Sequence, residues 1–100
     1  MTHVRFHGEA RLEFLDSVAF YEAIEVGLGE RFRQSVQAAV ELAASLPFAG
    51  SPYKHGTRRV FPRKFPFAVV YLVVENEIVI LAVSHFKRRP GHWKSRRHDR

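Results

Sequence analysis

The spacing of apolar residues changes near the start of the chain, from a strand-like period to a helical one. In residues 3–7 (HVRFH), Val4 and Phe6 alternate with polar residues, which predicts a short, half-buried strand. Gly8 ends this pattern, and from Glu9 onward the apolar residues recur at helical spacing. We therefore expect one strand followed at once by a helix.

The helical spacing continues through two segments, which are separated by Gly27 and Gly29. Pro47 and Gly50 end the second segment, and Glu30 lies in its first turn, where a negative charge is favourable to the helix dipole. Because the connection is only a few residues long, we expect an antiparallel helical hairpin. The apolar faces consist of Ala10, Phe14, Val18 and Tyr21 in the first helix, and Phe32, Val36, Ala39, Val40, Ala43 and Leu46 in the second.

Three further strands are predicted from the second half of the chain. Residues 51–56 (SPYKHG) are typical of a loop, and strand-like segments follow at 57–61, 65–74 and 77–85. Segment 65–74 is apolar on both faces, as expected at the centre of a sheet that helices cover. Glu75 and Asn76 supply the turn between the last two strands. The predicted fold class is α+β, with the order β-α-α-β-β-β and an antiparallel sheet packed against the helical hairpin.

Size and composition favour one folded unit. With 100 residues and 46% hydrophobic residues, the chain is predicted to form a single domain over residues 1–100. It has no cysteine, which excludes disulfides and thiolate metal sites. The N-terminal residues lack the apolar stretch of a signal peptide, and the longest apolar run is too short to cross a bilayer. We therefore expect a soluble cytoplasmic protein that makes no use of a membrane.

Charge is divided unevenly between the two halves of the chain. Residues 1–50 carry four Arg against seven acidic residues, a net charge of −3. Residues 51–100 carry twelve Lys or Arg against three acidic residues, a net charge of +9. Such asymmetry indicates an anionic partner, although charge alone does not distinguish nucleic acid from an acidic protein or surface. The alternative is a solvated charged face that keeps the protein dispersed.

The candidate chemistry lies mainly in residues 85–97 (HFKRRPGHWKSRR), which follow the apolar run IVILAV. His85 stands where the last strand ends, and imidazole is the side chain best suited to proton transfer near neutral pH. Its alternative role is to cap or pack against the backbone. His55 and His92 are interpreted as exposed loop residues, and no converging set of ligands predicts a metal or another cofactor. The residues predicted to bind a target or phosphate are Arg58, Arg59, Lys87, Arg88, Arg89, Trp93 and Arg96.

Trp93 and the residues after it each have two candidate roles. An indole ring cannot transfer a proton in catalysis, but it can stack on a nucleobase. Alternatively, Trp93 closes the core after Pro90 and Gly91 turn the chain back over the sheet. The basic tail from about residue 94, which includes Lys94, Arg97 and Arg100 besides Arg96, either meets a partner or frays.

Several of these features occur together and in a characteristic order. They are the helix-start pattern from Ala10 to Tyr21, the helix end at Pro47 and Gly50, Arg59 entering the sheet, and the ending with His85, Arg89, Pro90, Trp93 and Arg96. Together they resemble the RelE/ParE superfamily of toxins, over nearly the whole chain from Val4 to about Arg97. The resemblance implies a small basic toxin of a type II toxin–antitoxin module, held inactive in a hetero-oligomer by a cognate antitoxin with an acidic or amphipathic segment.

The superfamily has two branches with different targets. RelE-like members cut messenger RNA on the ribosome, whereas ParE-like members poison DNA gyrase without being nucleases. RelE-like nucleases commonly carry an Arg three residues before the Tyr of the central strand, where this chain has Ala68 before Tyr71. They also often use a C-terminal Tyr, and the matching position here is Trp93. Two participants in nuclease chemistry are thus missing, which favours the ParE-like branch.

Our primary hypothesis is therefore a ParE-like toxin that inhibits growth by binding DNA gyrase. The first alternative is a ribosome-dependent, metal-independent mRNA endonuclease, with His85 as general acid or base and the basic cluster on the phosphate. The second alternative is a non-toxic domain that binds nucleic acid or a partner protein. The sequence leaves open whether the chain is an enzyme.

Overall fold

Two helices and five strands make up the fold in the computed structural model, which describes residues 2–98. They are β1 (His3–Phe6), α1 (Gly8–Ile24), α2 (Leu28–Ser45), β2 (Ser51–Pro52), β3 (Arg58–Val60), β4 (Phe67–Val74) and β5 (Glu77–His85). Short 3-10 turns occur at Lys54–Gly56 and Lys94–Arg97. The predicted α+β class is confirmed, and the predicted loop at 51–56 contains the additional two-residue strand β2. Within residues 2–98, no helix combines the length and apolar character that crossing a bilayer requires.

The five strands form one mixed sheet in the order β1-β5-β4-β3-β2. Strands β2, β3, β4 and β5 pair antiparallel with one another, as predicted for the final meander. The prediction of a wholly antiparallel sheet is wrong for β1, which runs parallel to β5 with Val4 opposite Ile78. A parallel pair needs a long crossover connection, and the helical hairpin and the meander together provide it.

The sheet buries apolar side chains on both faces, as the uninterrupted apolar pattern of β4 predicts. Phe67, Val69 and Tyr71 of β4 face the helices and belong to the main core with Phe32 of α2. On the opposite face, Val70 packs in a smaller core with Val79, Leu81, Ala82 and Trp93. Because side chains alternate along a strand, each strand contributes to two separate surfaces.

The helices bury the predicted faces to different degrees. In α2 the predicted apolar positions are buried up to Ala43, whereas Leu46 lies beyond the helix end and is exposed. In α1 only Ala10 is fully buried, and Phe14, Val18 and Tyr21 pack partly buried against the core. The edge strand β1 is more exposed than predicted, with Val4 outside the core.

A carboxylate holds the helical hairpin together at its turn. Glu22 accepts hydrogen bonds from the backbone N–H groups of Gly27 and Gly29, both at 2.9 Å, and so satisfies free donors at the start of α2. Gly27 has a φ of 89°, in the left-handed region. A Cβ at Gly29 would lie 2.6 Å from the carbonyl oxygen of Val18, so the close approach of the helices requires glycine there.

Tyr71 connects the segment after α2 to the centre of the sheet. Its hydroxyl donates to the carbonyl of Pro47 at 2.7 Å and accepts from the N–H of Gly50 at 3.2 Å. Burial raises the pKa of Tyr71 above its usual value, although the Gly50 N–H and the Arg58 charge oppose the shift. The helix stop that Pro47 and Gly50 predicted is therefore also an anchoring point for the core.

Candidate functional site

A cleft of about 260 Å³ opens on the face of the sheet opposite the helices. Five of the eight predicted site residues line it, namely Arg59, His85, Arg88, Arg89 and Trp93. Small side chains on this face of β4 and β5, at Ala68, Val70 and Ser84, leave the space that forms its floor. We call this depression the sheet cleft. The fold thus brings β3 and the segment after β5 together around one concave site.

Arg59 reaches the sheet cleft from β3 with its guanidinium group held by aromatic rings. Its Cζ lies 3.8 Å from the ring centroid of Tyr53 and 5.1 Å from that of Phe61. Within residues 2–98 the Arg59 side chain makes no hydrogen bond or ion pair, and its Nε is buried without an acceptor. A buried donor left unpaired costs about 1–3 kcal/mol. Arg59 is therefore fixed in place with unused donors.

Arg58, its neighbour in sequence, lies outside the sheet cleft. Its side chain points to the helix side of the sheet and donates to the carbonyls of Phe48 at 3.0 Å and Gly50 at 2.7 Å. It also stacks over the Phe48 ring, at 5.1 Å from the centroid. Adjacent residues of a strand face opposite ways, so the two arginines that the sequence analysis grouped together do not share a site.

His85 borders the sheet cleft, but its ring lies on the helix-facing side of the sheet with Phe67, the residue opposite it on β4. One of its ring nitrogens is also engaged. Its Nδ1 accepts the backbone N–H of Lys87 at 3.0 Å, and its ring packs edge-on against Phe67 with 5.2 Å between centroids. With Nδ1 as an acceptor, the neutral ring carries its proton on Nε2. In this tautomer His85 can donate a hydrogen bond to a ligand at Nε2 but cannot accept a proton there. The capping role considered from the sequence is therefore present.

Lys87, Arg88 and Arg89 form an exposed row directly after β5, which we call the basic margin. The chain turns there, with the N–H of Arg88 bound to the carbonyl of His85 at 2.9 Å. In the described part of the chain, the side chains of Lys87 and Arg89 have no hydrogen-bond or acidic partner, and Arg88 is 3.7 Å from Glu13. The basic margin therefore presents positive charge to the solvent.

A buried polar network lies beside the sheet cleft, and the sequence analysis missed it. Oε1 of Glu13 accepts from the backbone N–H of Val83 at 3.1 Å, and both carboxylate oxygens bind Arg96, at 2.9 and 3.0 Å. Nε2 of His92 lies 3.0 Å from Oε2 of Glu13, and its Nδ1 lies 3.1 Å from the carbonyl oxygen of Arg89. The Glu13, His92 and Arg96 side chains are only 11–12% exposed.

This network takes the place of a missing strand neighbour. Strand β1 ends opposite Ile80, so the outer edge of β5 has no partner strand beyond that point. There Glu13 binds the N–H of Val83, and Arg96 donates to the carbonyl of Leu81 at 2.9 Å. Buried backbone groups require such partners. In the sequence, one feature alone indicates a structural role for Glu13. It follows Ala10 by three residues and so lies at the border of the apolar face of α1.

Three sequence predictions change as a result. Arg96 was predicted to contact a target, but both ends of its guanidinium are occupied within the protein. His92 was predicted to be an exposed loop residue, yet it belongs to the buried network. Residues 94–97 were assigned to a tail that could fray, but they form a 3-10 turn that Arg96 anchors. Arg100 lies outside the described residues.

Trp93 is 2% exposed and belongs to the small core on the cleft side of the sheet. Its ring centroid lies 5.8 Å from that of Tyr53 and 5.7 Å from that of His55. Desolvation, followed by the positive charges of Lys94, Arg97 and Lys54, lowers the pKa of His55. Of the two roles considered for Trp93, burial favours closing the core over stacking on a target.

No group of three or more His, Cys, Asp or Glu side chains within residues 2–98 is placed to hold a metal ion. The sheet cleft is instead a site of cations, aromatic rings and small apolar side chains. Such a set can bind an anion that carries an apolar or aromatic portion.

Comparison with known proteins gives the family. Residues 4–90 match the family described as the ParE toxin of the type II toxin–antitoxin system parDE. The chain belongs to the ParE toxin family. This confirms the predicted RelE/ParE superfamily and its ParE-like branch, and a type II system implies an antitoxin as partner. A search of curated proteins gave no match.

A solved structure supports the same fold. The chain is similar to the chromosomal ParDE TA system from P. aeruginosa, with a TM-score of 0.61 and 23% sequence identity, covering 85% of this chain and 96% of the other. The two proteins therefore share a fold.

Proposed function

We propose that this chain is the toxin of a type II toxin–antitoxin pair, that it arrests growth in the cytoplasm by binding DNA gyrase, and that a cognate antitoxin neutralises it. The match of residues 4–90 to the ParE toxin family carries the proposal. Gyrase together with its DNA is a large, negatively charged target. The free positive charge of the basic margin suits such a target, because complementary charge steers association.

The chemistry of the sheet cleft supports binding over catalysis. A metal-independent ribonuclease needs one group to take the proton of the 2′-hydroxyl and another to protonate the leaving oxygen. His85 is in the tautomer that donates at Nε2, because the Lys87 N–H uses its other nitrogen. Ala68, where related nucleases commonly carry an Arg, contributes a methyl group to the cleft floor.

One observation favours the second candidate function, a ribosome-dependent mRNA endonuclease. Three cations, Arg59, Arg88 and Arg89, line one concave space, and His85 borders it from the side of Phe67, so a proton donor lies at the edge of this space. Cations placed there would stabilise negative charge on a phosphorus centre. Under this alternative, His85 would act as the general acid.

The outer surface of α1 supports the antitoxin part of the proposal. Leu12, Leu15, Phe20 and Ile24 are all exposed, although a helix of an isolated protein usually has a polar outer face. An apolar groove lies beside the free edge of β1, and its lining includes Val4, Phe6 and Phe14. An amphipathic or extended antitoxin segment would cover both surfaces, and acidic residues of the same antitoxin would lie against the basic second half of the chain.

Induction of the toxin without its antitoxin tests the proposal in cells. Wild type and His85→Ala are expressed, growth is followed, DNA-damage signalling is measured and transcript ends are mapped. We expect both proteins to arrest growth with DNA-damage signalling, because binding to gyrase does not need the imidazole ring. Codon-positioned cuts with wild type that disappear with His85→Ala would overturn the gyrase proposal and establish the nuclease. A failure of both proteins to arrest growth would contradict both toxin hypotheses.

A further inference from the structure

Two phenylalanine rings are exposed side by side at one end of the sheet. Phe61 directly follows β3 and is 45% exposed, and Phe86 directly follows β5 and is 59% exposed. Their ring centroids are 6.1 Å apart in an edge-to-face arrangement. We call these two residues the aromatic pair. Single exposed apolar residues are common on folded proteins, but two adjoining rings form a surface that a partner can bury.

The backbone and a neighbouring guanidinium hold both rings in place. The N–H of Phe86 donates to the carbonyl of Pro66 at 2.9 Å, which fixes the chain directly after β5. Phe61 continues from β3, and Cζ of Arg59 lies 5.1 Å from its ring centroid. Side chains that are positioned before binding lose little conformational freedom when a partner arrives. The aromatic pair is therefore preorganised for a contact.

Positive charge lies on both sides of the aromatic pair. Phe61 lines a groove beside α2 together with Arg31, Arg63 and Lys64, and Phe86 is followed directly by the basic margin. Within residues 2–98, Arg63 and Lys64 have no acidic partner. Aromatic anchors surrounded by charged residues are the usual organisation of a protein interface in which a few residues supply most of the binding energy.

A third exposed phenylalanine lacks these basic surroundings. Phe48 is 70% exposed and, like Phe61, lies beside an arginine, with Cζ of Arg58 5.1 Å from its ring centroid. It lines a different depression, at the turn between β4 and β5, and the charged residues of that lining are Glu75 and Glu77. Phe48 thus matches Phe61 in chemistry but has acidic residues in the depression that it lines.

We propose that the aromatic pair is the apolar anchor through which the chain binds gyrase, in an apolar pocket of the enzyme that carboxylates border. This inference rests on the proposed function and adds the residues that supply most of the binding energy. A second copy of this chain does not suit the surface, because a symmetric contact would oppose the cations of one copy to those of the other. The apolar surfaces assigned to the antitoxin lie on α1 and beside β1, and β5 and β4 separate β1 from β3, which Phe61 follows.

Binding of purified gyrase holoenzyme, free of DNA, to the immobilised chain tests the proposal. Surface plasmon resonance gives the association and dissociation rate constants. Phe61→Ala and Phe86→Ala each remove one ring, and Phe48→Ala is the matched control. We expect the first two variants each to raise the Kd at least about tenfold, mainly through faster dissociation. For Phe48→Ala we expect a change of less than about twofold.

The rate constants also separate the anchor from the surrounding charge. Lys64→Gln keeps both rings and removes one cation beside them, so we expect slower association at low salt and little change in dissociation. The variants that lack a ring should keep the salt dependence of wild-type association, because they keep every cation.

A wild-type Kd for both Phe61→Ala and Phe86→Ala, or an equal loss with Phe48→Ala, would overturn the proposal. With gyrase binding unchanged, weaker binding of a labelled DNA duplex by these variants would assign the rings to nucleic acid. Lost self-association in analytical ultracentrifugation would assign them to a second copy, and lost binding of the cognate antitoxin would assign them to the antitoxin.

Circular dichroism checks the fold of each variant. If Phe61→Ala, which also removes the ring beside Arg59, does not fold, Phe86→Ala decides with the same expected and contradicting results. A wild-type chain that does not bind gyrase would contradict the proposed function itself. That failure is distinguishable from a failure of the inference, in which wild type binds gyrase and the loss of either ring has no effect.

Discussion

Arg96→Met tests whether the network around Glu13 stabilises the fold. The variant keeps an apolar side chain of comparable length but leaves the carboxylate of Glu13, which is 12% exposed, without its two hydrogen bonds of 2.9 and 3.0 Å. Removing one partner of a fully buried ion pair costs about 3–5 kcal/mol. His92 and the N–H of Val83 still bind Glu13, so we expect a loss of about 2–3 kcal/mol in the free energy of unfolding.

Urea denaturation followed by circular dichroism measures this loss, which corresponds to a fall of about 1–2 M in the midpoint for a small domain. Arg31→Met is the matched control, because its pair with Glu25 is exposed (56% and 63%) and is worth about 0–1 kcal/mol. Glu13→Gln combined with Arg96→Met removes both charges, and we expect the double variant to lose at least about 1 kcal/mol less than the sum of the single losses. Equal midpoints for Arg96→Met and Arg31→Met, or strictly additive losses, would refute the structural role.

Three further predictions concern the core. Trp93→Ala should lower the free energy of unfolding by about 3–5 kcal/mol, since it empties the small core on the cleft side, and a loss below 1 kcal/mol in the same urea assay would contradict that packing. Gly50→Ala should cost about 1–3 kcal/mol in thermal or urea melts, because the new Cβ would meet the Tyr71 hydroxyl and lie 2.9 Å from the carbonyl oxygen of Arg59. Burial raises the pKa of Tyr71 above 10.0. The contribution of its neutral hydroxyl to the free energy of unfolding is therefore complete below pH 10, and it is lost as the pH rises through the higher pKa of the folded state. Tyr71→Phe should therefore flatten the alkaline decline of stability in urea titrations, leaving the part due to Tyr21, whose pKa burial also raises.

Local patterns were sufficient to predict most of the elements. The change of period at Gly8 located the boundary between β1 and α1, and Glu75 and Asn76 located the hairpin between β4 and β5. These features depend on residues that are close in sequence, so spacing and turn chemistry report them directly. The parallel pairing of β1 with β5 could not be predicted in this way, because it joins residues more than seventy positions apart.

The residues of the candidate site were also predictable only where they are close in sequence. The cations of the basic margin are contiguous in sequence and were found, whereas the contact between Glu13 and Arg96 spans 83 positions and was missed. The separation of Arg58 from Arg59 could have been predicted. Val60 follows them in β3 and faces the helices, and the strand alternation then sends Arg58 to the same side and Arg59 to the other. The sequence analysis grouped the two arginines by charge alone and therefore did not predict that they face opposite sides of the sheet.

Supercoiling by purified DNA gyrase in the presence of the purified chain tests the central claim most directly. A variant with Lys87, Arg88 and Arg89 all changed to Gln removes the basic margin, and His85→Ala serves as the control within the same segment. We predict that wild type and His85→Ala inhibit supercoiling, that the triple variant loses most of the inhibition, and that higher salt weakens it. Undiminished supercoiling at every concentration of the wild-type chain would contradict the account.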